Sequence, residues 1–256
     1  MNEAVLVIDK HVGPTSFDIV RRVKEIVPNV KVGHSGSLDP FATGVLVVML
    51  GKATKLSGIL LNADKRYRAL VFLGESTDTM DGTGTVISRA PVPDLSLSQV
   101  EAVLSSFQGE WHQTPPMYSA KKVNGVRLYD LARQDIWVKR QPIPVELYDL
   151  KLLRWESPLL EFEVHCSKGT YVRSLAEELG RRLGTVGFLK ELRRQACGSF
   201  TLKDSVTVEG LAENTLPNLR LGYDNYLKLL RGEALIRAGQ RRSLAPQTSP
   251  FANVAQ

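Results

Sequence analysis

Cysteine is nearly absent: the 256 residues hold two, Cys166 and Cys197, with no close pairing motif. That excludes a disulfide framework and fits free thiols in a reducing compartment. Long apolar runs are also missing. The run Val45 to Leu50 is far too short to cross a membrane and reads as a buried strand. The start, MNEAVLVIDK, has an early acidic residue and a five-residue apolar run, so neither a signal peptide nor an anchor is expected. The four histidines, His11, His34, His112 and His165, lack zinc-ligand spacing, and no metal is expected. Neither a P-loop nor a G-x-G-x-x-G string occurs, so ATP and nicotinamide chemistry find no signature. Internal repeats are absent. A soluble, cytoplasmic protein without a cofactor is the expectation.

What is present is a full apolar complement, 43% of the chain, enough for a proper core. Lys and Arg number 33 against 27 Asp and Glu, a net charge of +6 that suits a polyanionic partner. Ala4 to Ile8 reads as a short buried strand. Thr15 with Asp18 predicts a capping box for a helix with Ile19, Val23 and Ile26 inward and Pro28 as its stop. Ala53 to Leu61 suggests a helix and Ala69 to Leu73 a strand. Ser98 with Glu101 predicts the cap of a helix whose apolar face is Val100, Val103, Leu104 and Phe107. Leu159 to Cys166 alternates as a strand does. Val172, Leu175, Ala176, Leu179 and Leu183 then share one helical face, with Gly184 as the stop.

The chemistry centres on Gly33-His34-Ser35-Gly36-Ser37-Leu38-Asp39-Pro40, followed by Phe41-Ala42-Thr43-Gly44-Val45-Leu46. Pro40 pushes Asp39 out of the helical region, and a carboxylate is thereby fixed on a loop next to a core strand. By spacing alone this is a turn. The string GHSGSLDPFATGVL, however, resembles the catalytic motif of the TruB family, bacterial synthases that make pseudouridine in the T-arm loop of tRNA. Six further stretches resemble that family in order, over roughly residues 4 to 200. Lys10, Gly13, Thr15 and Ser16 match a K-P-x-G-x-S/T-S start, with His11 where proline is usual. Lys65-Arg66-Tyr67-Arg68 is similar to the family's tyrosine segment, and Gly74 to Gly82 to its G-x-x-T-D-T-x-D turn. Gln113 to Gly125 resembles Q-x-P-P-x-F/Y-S-A-x-K-x-x-G. Ser167-Lys168-Gly169-Thr170-Tyr171-Val172-Arg173 matches S-K-G-T-Y-I/V-R, and Leu192-Arg193-Arg194 the L-R-R ending.

The resemblance implies an α+β pseudouridine-synthase fold: a mixed, mostly antiparallel sheet, flanking helices and a central RNA-binding cleft. It implies Asp39 as the catalytic carboxylate, Arg173 as its ionic partner and Tyr67 stacked on the target uracil. His34 would hold the flipped nucleotide, and Leu192 would form part of the apolar wall. Lys10, Lys121, Lys122 and Arg127 would meet phosphates. Residue by residue the alternatives stay open. Lys10 reads equally as a solvated loop lysine, and Asp78 and Asp81 read as structural turn residues. From Lys121 to Arg140, six basic residues stand against two acidic ones, which fits RNA or merely a solvated loop. An aspartate in water titrates near 3.9, so its carboxylate is available at neutral pH to add to the substrate or take a ribose proton. The expected partner is the tRNA T-arm stem-loop, met by a monomer needing no protein partner and no membrane. A catalytic domain is expected over 1–204, with an RNA-clasping insertion at about 110–142. Residues 205–256 would then be a short C-terminal segment, with Leu227 to Gly239 a remnant of a PUA-like module. A non-catalytic RNA-binding module and a guide-directed synthase are the competing readings.

Overall fold

The apolar runs and alternating stretches become strands, and the capped periodic stretches become helices. The computed structural model describes residues 3–211. Its elements run β1 (Ala4–Lys10), α1 (Ser16–Ile26), β2 (Val32–His34), β3 (Thr43–Leu50), α2 (Ser57–Asn62), β4 (Lys65–Leu73), β5 (Glu75–Thr77) and β6 (Val86–Arg89). After these come α3 (Leu97–Ser105), β7 (Gly109–Gln113), β8 (Lys122–Val123), β9 (Val126–Arg127), α4 (Leu128–Ala132) and β10 (Ile143–Glu156). The last are β11 (Leu159–Cys166), α5 (Val172–Arg182), β12 (Gly187–Cys197), β13 (Phe200–Thr201) and β14 (Val206–Thr207). Residues 63–195 form one compact unit, and residues 3–62 with 196–211 belong to another. The expected segment Leu227 to Gly239 lies outside the described residues.

In the flanking unit, β1 pairs antiparallel with β3 along its whole length, from Ala4 opposite Leu50 to Lys10 opposite Gly44. Both strands are buried almost throughout, hence their unbroken apolar runs. β2 adds to β3 with His34 opposite Val48, and β14 runs parallel to β1 with Ile8 opposite Val206. Val5, Val7, Val45, Val47 and Met49 pack with Ala53, Leu56 and Leu60, and with Cys197 and Phe200 from far along the chain. α1 starts on the predicted box: Thr15 accepts from the Asp18 amide at 3.1 Å, and the Asp18 carboxylate accepts from the Thr15 amide at 2.9 Å. The expected helix from Ala53 divides into a 3-10 run, Gly51–Leu56, and α2. The Thr54 hydroxyl donates to the Gly51 carbonyl at 2.7 Å, and such side-chain bonds compete with regular helix.

In the 63–195 unit the strand order is β12-β4-β11-β10-β7. β4, β11, β10 and β7 pair antiparallel in succession, from Tyr67 opposite Val164 to Val145 opposite Trp111. The architecture is therefore α+β with mostly antiparallel pairing, as expected. β4 starts at Lys65, four residues before the predicted edge. α5 buries Val172, Leu175, Ala176 and Leu179, and Gly184, at φ 79°, ends it. The cap of α3 is Ser96 with Gln99, not Ser98 with Glu101. Both pairs carry the same three-residue spacing, and it is Ser96 and Gln99 that make the two reciprocal box bonds, the Ser96 amide donating to the Gln99 Oε1 at 2.8 Å and the Gln99 amide to the Ser96 hydroxyl at 3.3 Å.

Candidate active site

Asp39 stands half-buried between two residues whose backbones are tied down. On one side, the Leu38 amide donates to the Ser16 hydroxyl at 2.8 Å, and that hydroxyl donates back to the Leu38 carbonyl at 3.2 Å. On the other side, the Pro40 carbonyl accepts from the Gly13 amide at 2.9 Å and from the Lys10 ammonium at 3.1 Å. Gly13 takes φ 113°, a conformation that favours glycine. The Ala42 amide closes the turn on the Asp39 carbonyl at 3.1 Å. The start motif thus serves to fix the carboxylate's loop.

Lys10 corrects its expected role. It is 0% exposed, and its ammonium donates to the carbonyls of His11 (2.8 Å) and Pro14 (3.0 Å) as well as Pro40. An ammonium has three N–H donors, and a lysine caged among carbonyls in this way is a structural cation rather than a phosphate contact. Burial without such partners would be prohibitive. His34 ends β2, half-buried, and its Nδ1 accepts from the Gly36 amide at 3.3 Å. A neutral imidazole accepting at Nδ1 carries its proton on Nε2.

The 63–195 unit holds the other candidates. Tyr67 points inward from β4 and is buried. The flanking arginines do not surround it. Strand alternation turns Arg66 and Arg68 to the opposite, solvated face, where Arg68 pairs with Glu161 at 2.6 Å. Lys65 shares the inward face but is buried, donating to the Ala63 carbonyl. The three basic residues of this segment therefore do not gather around the ring. Leu192 is buried on β12, the strand next to β4.

Arg173 lies in the first turn of α5, a turn with no acidic residue of its own, and is 4% exposed. Its Nη1 donates to the Thr79 carbonyl at 3.1 Å and its Nη2 to the Tyr118 carbonyl at 2.8 Å. A carboxylate stands beside it: Asp81 Oδ2 lies 3.5 Å from Nη1, with both side chains buried. Reading Asp81 as a turn residue therefore missed half of its work. Its other oxygen does organise the turn, accepting from the Thr79 hydroxyl at 2.8 Å and the Thr83 amide at 3.0 Å. β12 holds that turn in place, since the Gly82 amide donates to the Leu189 carbonyl at 3.1 Å. An arginine in a helix first turn, where negative charge is favoured, was the signal that a carboxylate should be nearby.

Gln113 explains a further motif. Fully buried, it donates from Nε2 to the Gly169 carbonyl at 2.6 Å and accepts the Tyr171 amide at 2.8 Å, clamping the turn that launches Arg173. Ser174 adds a bond to the Thr114 carbonyl at 2.8 Å. Lys121 and Lys122 are exposed at and beside β8, as phosphate contacts need to be. Among the described residues no cluster of metal-ligating side chains occurs.

Comparison with known proteins agrees with these features. Residues 24–172 match the TruB family pseudouridylate synthase N-terminal domain, and residues 173–226 the tRNA pseudouridylate synthase B C-terminal domain. The tRNA pseudouridine synthase B of Bordetella avium is 45% identical over 221 residues, covering 86% of this chain and 91% of that protein. That of Enterobacter sp. is 47% identical over 209 residues, covering 82% of this chain and 66% of the relative. Among solved structures, a chain of a Cbf5-Nop10-Gar1 complex matches with TM-score 0.65 and 32% identity over 81% of this chain. The match takes in 53% of that chain, so the protein spans about half the length of this structural relative. With a family model covering more than half its residues, the chain belongs to the TruB family of pseudouridylate synthases.

Proposed function

We infer that this protein isomerises uridine to pseudouridine in the T-arm loop of tRNA. The observation that carries it is the Asp39 loop, whose flanking residues are clamped on both sides by the family's start motif. The reaction breaks the N1–C1′ bond, turns the uracil and forms a C5–C1′ bond; C5 gives up its proton and the freed N1 takes one up, so substrate and product are isomers. There is no net oxidation or reduction and no phosphate transfer. The Asp39 carboxylate does the chemistry from its ionised form, and the family's S-K-G-T-Y-I/V-R motif assigns Arg173 as the partner that favours that charge. Tyr67 stacks on the extruded base, Leu192 walls it in, and His34 holds the flipped nucleotide. Flipping costs a few kcal/mol, which stacking offsets. Lys121 and Lys122 meet the phosphates of the stem-loop. The protein acts in the cytoplasm and alone. Among the described residues no helix is long and apolar enough to cross a membrane.

The test uses transcribed tRNA tritiated at C5 of uracil, with tritium release to water as the readout. Wild type should release it, and Asp39→Asn should lose turnover while keeping tRNA affinity within a few-fold. Loss of binding together with activity would instead make Asp39 a residue of the fold or of RNA docking.

A further inference from the structure

The stretch Met117 to Arg140 has a small apolar cluster of its own. Met117, Leu128 and Ala132 are buried, and Tyr118, Val123, Leu131 and Val138 pack against them. Asn124 (φ 51°) and Gly125 (φ 84°) turn the β8–β9 hairpin, and α4 follows directly. Beyond α4 the chain reverses at Asp135 (φ 57°), and the Ile136 amide donates to the Leu131 carbonyl at 3.0 Å. Val138 then turns inward, but Ile136 and Trp137 do not: they remain 45% and 59% exposed. An indole is the largest side chain available for burial, and this cluster leaves it in water one residue from a position that it does bury. The surroundings are cationic, with Lys139 two residues on and Arg133 four residues back on the same short segment.

We propose that Trp137 is a stacking platform for an unpaired nucleobase of the bound RNA. The proposal rests on the reading that Lys121 and Lys122 face its phosphates, and adds the apolar half of the interface. A basic surface holds the backbone of any nucleic acid. An aromatic face takes up a base, whatever its identity, because every base presents a π-face. Charge complementarity selects RNA over a protein surface as the occupant: six basic residues stand against two acidic ones from Lys121 to Arg140.

The chain's other tryptophans stay within the fold. Trp111 is 9% exposed, and the Trp155 indole donates to the Leu95 carbonyl at 3.0 Å. A change in indole fluorescence on adding RNA therefore reports mainly on the exposed Trp137. Titrating transcribed tRNA into the wild type should quench it. Trp137→Ala should weaken tRNA binding by about tenfold and Trp137→Phe much less, since a smaller ring still stacks. The salt dependence should not change, because no charge is lost. Melting curves matching the wild type would place the effect in binding rather than folding. Unchanged affinity in Trp137→Ala, with no quenching in the wild type, would overturn the platform while leaving the synthase reading intact. So would a Trp137-dependent self-association in sedimentation velocity without RNA, which would make the surface a contact between copies. If the wild type neither binds tRNA nor releases tritium, the synthase reading fails first and the platform with it.

Discussion

At the scale of single residues, environment decides what each side chain does. His165 on β11 faces Arg66 across the strand pair, with Asp149 opposite on β10, Asp64 nearby and the Tyr148 ring 4.9 Å away. Burial, then the Arg66 charge, lowers its affinity for a proton. A histidine whose folded pKa lies below its unfolded value opposes protonation of the native state. Stability is then fully present above about pH 6.5 and declines as pH falls below it, where the unfolded chain binds more protons. Between pH 7 and pH 5 the wild type should thus lose more stability in urea melts than His165→Gln. Equal losses would show that the imidazole titrates as in water. Lys10 and Tyr67 show what sequence makes legible at this scale. Both were singled out, Lys10 in an expected loop and Tyr67 just ahead of an expected strand, and both stand on strands. Whether a lysine ends in water or in a cage of carbonyls depends on where the Pro40 carbonyl comes to rest, thirty residues on, and no local pattern carries that.

At the scale of elements, legibility follows period and punctuation. β3, β11 and α5 were readable because burial imposes a strong pattern on one or both faces. The cap of α3 was misread by two residues because Ser96 with Gln99 and Ser98 with Glu101 carry equivalent signals. The Arg173–Asp81 contact was not legible, since it joins α5 to a turn more than ninety residues earlier. Close approach of elements leaves a sharper mark at Gly180. A Cβ there would lie 2.5 Å from the Gly187 amide nitrogen and 2.7 Å from the Val186 carbonyl carbon, both backbone atoms. Alanine in mid-helix would otherwise gain about 1 kcal/mol over glycine, but forcing β12 away from α5 outweighs that. Gly180→Ala should destabilise by about 2 kcal/mol and lower the melting temperature by several degrees. A melting temperature at or above the wild type's would mean that the two elements can part cheaply.

At the scale of the whole molecule, a net charge of +6 spread over 256 residues is modest, and its local density matters more. Each phosphate neutralised by a lysine contributes roughly 0.7–0.9 to the slope of log affinity against log salt. Replacing Lys121 and Lys122 together by glutamine should therefore weaken tRNA binding and flatten that slope by about 1.5. An unchanged slope would put the RNA elsewhere on the surface. The discontinuous unit has a consequence of another kind, for synthesis. β1 and β3 emerge from the ribosome early, yet Cys197, Phe200 and β14 complete their surroundings only after some 200 residues have been made. At about 5–20 residues per second, Val5, Val7 and Val47 wait on the order of ten seconds or more for those partners. A strand made well before its partners is finished late, so slow translation prolongs the period in which its apolar side chains stand open to chaperones.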